Sequence, residues 1–327
     1  MQKVWRKSTI QCIFGHNKMN TEIRRGGFMI SSQHIEIIII STILGTLARF
    51  ITLKEDYRQY PSFPNGYLIH LLTGFVAAAL GAVAIPAIMT KNFVAVTFLA
   101  LAIQQFRDVR KMERDSLKDL ENTEYTFRGN AYIDGIAKTF EARNYFALIV
   151  SFTSALSIQL SGQEKTWISI TVGAATGMIT LYLLKRFSKG KTVGDIADVK
   201  EGKIEVKDTE LFVDGIFVTN ILGTENAQKL FNEEGIAVVI YPREDHFRIT
   251  LDNYGQRQAV IFEATRALGV KRYHFTRKEY QQGRVVIALI PITKDINKLI
   301  ETVKNTPLLE NVKKSHSVMN SNMIGRK

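Results

Sequence analysis

The sequence predicts an α-helical membrane domain of about five spans, followed by a small cytoplasmic α+β domain. Two observations predict this architecture. The long apolar runs all lie within the first 190 of the 327 residues, and beyond them short strand-like runs alternate with helix-like runs. The whole-chain averages hide the division, because 23% charged residues and a mean hydropathy of −0.02 are ordinary values for a soluble protein.

The chain divides into four predicted segments. Residues 1–28 are a doubtful N-terminal extension, and residues 29–190 are the transmembrane domain, with an amphipathic cytoplasmic loop at 107–143. Residues 191–305 form a soluble α+β domain, and residues 306–327 form a disordered tail.

The doubtful segment carries six Lys or Arg residues and one acidic residue. It lacks the apolar stretch of a signal peptide. The run RRGG precedes Met29, and purine-rich codons for that run resemble a bacterial ribosome-binding site. We therefore predict that translation starts at Met29, with a genuine basic arm as the alternative.

A membrane-spanning helix needs about 20 mostly apolar residues. Four stretches come close to this length: 34–53, 66–90, 145–161 and 166–184. The run 92–106 is shorter, so it spans only if it is extended or if the bilayer is locally thin. Small residues in 66–90 and at 173–177 predict close contacts between helix backbones.

The placement of Lys and Arg predicts the orientation. With five spans and a start at Met29, fourteen basic residues flank the spans on one side of the membrane and two on the other. Basic residues near spans stay in the cytoplasm. The N-terminus is therefore predicted outside, with the loop 107–143 and the C-terminal domain inside.

The loop 107–143 contains two amphipathic helical stretches. The second has an apolar stripe of Ile133, Ile136, Ala137 and Phe140 at helical spacing. The first offers Arg107, Lys111, Arg114 and Lys118 to lipid headgroups, or forms a solvated face of charge pairs. Membrane lipid is thus a predicted partner.

Three carboxylates of this loop are the candidate catalytic residues: Asp108, Glu113 and Asp134. Brought together at the membrane surface, they could perform general acid–base chemistry. The structural alternative pairs Glu113, which interrupts an apolar arc, with Arg110 one turn earlier.

The stretches DYRQYPSFPNGY, AVTFLALAIQQFRDVRKMERDSL and AYIDGIAKTFEARNYF together resemble the YIEGIA family of endospore-forming Firmicutes. The hexapeptide that names the family reads here Tyr132, Ile133, Asp134, Gly135, Ile136 and Ala137. The resemblance implies an integral membrane protein linked to sporulation, with a small capping subunit as partner. Asp134 stands where the family name has Glu, one methylene longer.

The C-terminal domain is predicted as an α+β sandwich, with a ferredoxin-like arrangement as one option. The run GKIEVKDTELFVDG predicts a hairpin, and IAVVIY, HFRITL, RYHF and RVVIALI predict strands. Residues 192–305 contain 16 basic and 17 acidic residues. Such neutrality argues against nucleic acid as a partner.

No established catalytic or cofactor motif is present. The single cysteine, Cys12, excludes an intrachain disulfide and a cysteine-based zinc site. We expect no metal and no cofactor. The sequence favours a structural or regulatory membrane protein that recruits a partner through its cytoplasmic domain. A membrane-embedded hydrolase, most plausibly a protease using the loop carboxylates, is the alternative, and a homo-oligomer is left open.

Overall fold

The computed structural model describes residues 32–53, 64–162 and 166–309. The doubtful segment 1–28, the start at Met29 and residues 310–327 of the predicted tail lie outside these ranges. The chain divides into two compact units. The helical unit runs to Phe106 and resumes over Ala142–Phe187. The α/β unit contains Arg107–Glu141 and, among the described residues, 188–309.

Five long helices come first in the chain: α1 (Ser32–Leu53), α2 (Pro64–Met89), α3 (Phe93–Glu121), α4 (Asn130–Ser161) and α5 (Thr166–Ser188). In the described ranges, four helices are long and apolar enough to cross a membrane: Gln33–Leu53, Tyr67–Met89, Asn130–Ser161 and Thr166–Ser188. They indicate an integral membrane protein. Helix α3 is not among the four, because its apolar part stops at Phe106 and charged residues follow at once.

Small residues bring the helices of this unit together, as predicted. A side chain at Gly45 would stand 2.7 Å from the Cβ of Ala78 and 2.7 Å from the carbonyl of Ala147. Ser151 donates a hydrogen bond of 2.6 Å to the carbonyl of Ala78. Gly173 similarly packs against Ile158. These close contacts explain the Gly and Ala residues of α2 and α5.

The α/β unit adds twelve shorter elements to the helices it shares. They are α6 (Val193–Ile196), β1 (Ala197–Glu201), β2 (Ile204–Lys207), β3 (Glu210–Val213), β4 (Ile216–Thr219), α7 (Glu225–Glu234), β5 (Ile236–Pro242), α8 (Phe247–Asp252), α9 (Tyr254–Leu268), β6 (His274–Lys278), β7 (Val285–Leu289) and α10 (Ile296–Asn305). Side-chain oxygens of Thr224, Asn253 and Asp295 accept backbone hydrogen bonds that start α7, α9 and α10.

The strands form two small antiparallel sheets. One has the order β1-β5-β7-β6, and the other has the order β2-β3-β4. The central strand β5 is buried on both faces. Val238 and Ile240 join one apolar core with α9 and α10, whereas Ala237 and Val239 join a second core under α7 and the three-stranded sheet. Both cores lie within the α/β unit.

Two expectations need correction. The run HFRITL was predicted as a strand and is helix α8 instead. Phe247 and Leu251 are both buried there, and their spacing of four residues belongs to a helix face. The packed domain also continues four residues past the predicted boundary at 305, since Thr306, Leu308 and Leu309 are buried.

Candidate functional site

The candidate site is the contact between the start of α4 and helix α9, both in the α/β unit. The chain enters α4 through Gly129, whose φ of +85° is a conformation that residues with a side chain rarely adopt. Its N–H donates to Glu121 over 2.6 Å. Its carbonyl accepts from the N–H groups of Tyr132 and Ile133. Gly129 therefore sets the direction in which α4 begins.

Tyr132 is the central contact of this site. Its side chain is buried, and its hydroxyl donates a hydrogen bond to Oε1 of Glu263 on α9. The ring meets that of Phe262 edge to face, with centroids 6.2 Å apart. Tyr132 thus combines apolar burial with a polar anchor at its tip.

Arg128 also packs on the ring of Phe262. Its guanidinium carbon lies 4.9 Å from the centroid of the Phe262 ring. Its Nη2 donates to Glu124 over 2.8 Å, and only 6% of the side chain is exposed. The cation is held by one carboxylate and one ring face, an arrangement that is stronger when desolvated.

The linker before α4 makes further contacts with the same unit. The hydroxyl of Tyr125 donates to the carbonyl of Arg272, and the amide of Gln258 donates to the carbonyl of Phe127. The Tyr125 ring meets His274 edge to face at 5.6 Å. Burial lowers the pKa of His274 below its ordinary value, since burial disfavours the charged imidazolium.

The predicted apolar stripe of α4 is confirmed. Ile133, Ile136, Ala137 and Phe140 are all buried. Tyr132 belongs to the same face but was not included in the stripe. Its spacing of four residues from Ile136 was the signal that could have found it.

Asp134 lies on the opposite face of α4, between two cations. Its Oδ1 is 2.8 Å from Nη2 of Arg110 on α3, and its Oδ2 is 2.9 Å from Nζ of Lys138. Arg110 also stands 3.6 Å from Glu141. Both carboxylate oxygens therefore face a positive charge.

The other two candidate carboxylates have different surroundings. Asp108 is exposed and Glu113 is half-buried on α3. Arg110, the partner considered for Glu113, contacts Asp134 and Glu141. In residues 32–53, 64–162 and 166–309, no group of three His, Cys, Asp or Glu side chains is arranged to hold a metal ion.

A surface cavity of about 160 Å³ lies elsewhere in the α/β unit, between α8 and the turn that joins β6 to β7. Lys278 in its wall is 2.6 Å from Asp252, and Glu279 is 2.7 Å from Arg284. The hydrogen bond from Arg284 lowers the pKa of Glu279. The charges of these four residues are thus neutralised within the domain.

A model of the YIEGIA protein family matches residues 37–319. The chain belongs to the YIEGIA family. It is also 36% identical over 287 residues to the uncharacterized protein YphB of Bacillus subtilis (strain 168), covering 86% of this chain and 94% of YphB. No solved structure matches the chain.

The YIEGIA hexapeptide can now be described residue by residue. Tyr132, Ile133, Ile136 and Ala137 are buried, so four of its six positions serve packing. The acidic position, Asp134 here, forms ion pairs at the surface of the helix. Gly135 has open space where a side chain would stand. Most of the YIEGIA hexapeptide of this chain is therefore a packing element.

Proposed function

We propose that this protein is a sporulation-linked integral membrane component, structural or regulatory, that recruits a small protein partner through its cytoplasmic α/β unit. One observation favours this function over catalysis. Both oxygens of Asp134 are engaged by Arg110 and Lys138, as in a structural ion pair, and a general acid or base needs a proton to exchange with substrate. The link to sporulation and the small partner rest on the family resemblance.

The packing of the helical unit supports a fifth crossing, made by α3. This helix starts at Phe93, four residues after α2 ends at Met89. Its residue Phe106 shares a buried cluster with Ala77, Ala78 and Ala147. From Met89 back to Ala77, and from Phe93 on to Phe106, the chain travels about 20 Å in each case at 1.5 Å per residue. Helix α3 thus returns along the second half of α2, from Met89 to Ala77.

Polar residues at the helix ends support the same membrane boundary. Arg49 of α1 lies against Gly74 of α2, where a side chain would meet its Cγ at 2.3 Å. The rings of Phe106 and Tyr145 are 5.7 Å apart, and Arg143 precedes Tyr145 by two residues. Arg49, Phe106 and Tyr145 therefore pack against the same part of α2, between Gly74 and Ala78.

Five crossings put the N-terminus and the α/β unit on opposite sides of the membrane. The positive-inside rule then favours an outside N-terminus and a cytoplasmic α/β unit. Residues 107–141 and 188–309 belong to one compact unit, which supports placing both on the same side.

For the α/β unit we favour a ferredoxin-like arrangement in a permuted chain order. From the antiparallel pairings, β5 and β6 are parallel with β7 between them, and β7 and β1 are parallel with β5 between them. Two interleaved split β-α-β units of this kind characterise the ferredoxin-like fold. Here the strand that would come last is β1, and β2 to β4 with α7 are inserted after it.

The test replaces YphB in Bacillus subtilis with the tagged whole chain and purifies it from membranes of growing and of sporulating cells. We expect one small protein to copurify in near-equal amount from sporulating cells. The matched variants Asp108→Asn, Glu113→Gln and Asp134→Asn separate the alternatives. A recruiting protein keeps its partner in at least two of them. A hydrolase variant instead accumulates uncleaved substrate while the protein itself stays abundant, and that result would contradict the proposal.

A further inference from the structure

Residues 306–309, here named the strap, are held in an extended conformation through their backbone. The carbonyl of Thr306 accepts from the N–H of Val193 over 2.9 Å, and the N–H of Leu308 donates to the carbonyl of Lys191 over 3.0 Å. These bonds join the strap to the residues that follow α5. Because both are backbone–backbone hydrogen bonds, they require an extended backbone at these positions but no particular side chain.

The opposite edge of the strap backbone hydrogen-bonds to one side chain, Gln256 of α9. Its Nε2 donates to the carbonyl of Pro307 over 3.1 Å. Its Oε1 accepts from the N–H of Leu309 over 2.9 Å. Gln256 is fully buried, and a buried amide without partners is costly. The amide is therefore matched to a peptide backbone running past it.

The strap fills apolar space with two adjacent leucines. Leu308 is 6% exposed and belongs to the larger apolar core, and Leu309 is 4% exposed. A side chain at Gly255 would stand 3.5 Å from Leu309 and 3.2 Å from Ala131. Gly255 thus lies between the strap and the first turn of α4, and a side chain there would be tight only against Ala131 of these two residues.

We propose that this groove, formed by residues 191–193 and the start of α9, is a peptide-binding site that the chain occupies with its own strap. A partner protein enters it with an extended segment that carries two adjacent leucine-sized apolar residues, and the strap leaves. The inference rests on the proposed recruiting function and names the chemistry of the partner. The strap is then an internal competitor that limits recruitment.

The contacts give this site its selectivity. Consecutive N–H groups of the strap, from Leu308 and Leu309, bond to opposite sides, as they do along a β-strand. An incoming peptide must therefore be extended and must have free N–H groups at both leucine positions. A proline at either position removes one of those donors. A charged residue in place of Leu308 enters an apolar core and is rejected.

The test compares the whole chain with a chain that stops after Asn305, both purified in detergent. The probe is a fluorescein-labelled peptide of sequence KNTPLL, residues 304–309. Fluorescence anisotropy is expected to give saturable binding to the shortened chain in the micromolar range and at least about tenfold weaker binding to the whole chain. A peptide with Asp at the position of Leu308 is expected to bind at least about tenfold more weakly.

Two variants make the test specific to the groove. Gln256→Met in the shortened chain removes both amide contacts and is expected to weaken peptide binding, whereas Arg266→Met, at an exposed position of the same helix, leaves it unchanged. The proposal is overturned if the folded shortened chain binds no peptide. It is equally overturned if the shortened chain loses its cooperative thermal unfolding, because the strap is then a fixed part of the core. Failure of the partner purification alone would instead count against the recruiting function.

Discussion

The hydroxyl of Tyr132 donates a hydrogen bond to Glu263, a residue 131 positions further along the chain. This contact links Tyr132, the third residue of α4, to helix α9, which follows the membrane helices in the sequence. Within the α/β unit it joins the family hexapeptide to α9 by one polar anchor inside an apolar contact.

Tyr132→Phe is expected to destabilise the protein. The ring stays buried, but the half-buried Glu263 loses a donor, which costs about 1–2 kcal/mol. Thermal unfolding in detergent measures the effect. Tyr254→Phe, on an exposed ring of the same unit, is the matched control and should change nothing. Equal unfolding temperatures for both variants would contradict the role assigned to Tyr132.

Gly129, just before the hexapeptide, and Gly135, within it, should respond to substitution by alanine in opposite directions. Gly129→Ala forces a side chain into a left-handed conformation, with Gln258 at 3.3 Å, and is expected to cost about 1–2 kcal/mol. Gly135→Ala has open space within the helix and should stabilise it by about 0.5–1 kcal/mol. Denaturant unfolding of the pair checks the prediction, which fails if both substitutions have the same sign.

Asp134→Asn is expected to lower the free energy of unfolding by less than about 1 kcal/mol. The ion pairs with Arg110 and Lys138 are one-third exposed, and solvent screens such pairs. Asp134→Glu keeps the charge and should behave like the original chain. A double-mutant cycle that combines Asp134→Asn with Arg110→Gln measures the coupling energy of the two residues. A coupling energy of zero would contradict a structural role for the ion pair.

Acid should weaken the packing of Tyr125 on His274. Burial lowers the pKa of His274 in the folded state below the ordinary 6.5. The unfolded chain therefore binds the proton first, so this contribution to stability is fully present above pH 6.5 and is lost as the pH falls towards the folded-state value. Denaturant unfolding between pH 5 and 8 should show a steeper pH dependence for the original chain than for His274→Gln. Equal slopes would contradict this assignment.

Reporter fusions test the five crossings. A reporter fused after residue 309 and one inserted near residue 123 are expected on the same side of the membrane. A reporter placed before residue 32 is expected on the opposite side, because five crossings separate it from them. Four crossings, with α3 lying outside the membrane core, would instead put all three reporters on one side.

Local patterns in the sequence predicted much of this architecture. The apolar stripe of α4 from Ile133 to Phe140, the small residues of α2 and the hairpin of β2 and β3 all follow from spacing along the chain. The physics of these features acts over a few residues, so one segment contains the whole signal.

Other features depend on partners that are remote in sequence. The sequence around Tyr132 does not indicate that its partner is Glu263. The sequence around Leu308 likewise does not indicate contacts of the strap with Gln256 or Lys191. The run HFRITL is rich in strand-forming residues, yet Phe247 and Leu251 are buried on one helical face. In α8, tertiary packing therefore outweighed the local preference of the segment for a β-strand. Asp134 was recognisable as a charged position, but its cation on α3 was not.

The division of the chain has a practical consequence for dissecting this protein. The α/β unit is built from two stretches, 107–141 and 188–309, with helical-unit residues 142–187 between them in sequence. A fragment that starts at residue 191 would expose the ring of Phe262, the carboxylate of Glu263 and the amide of Gln258 to water. A soluble version needs the earlier stretch joined to the later one by an artificial connector.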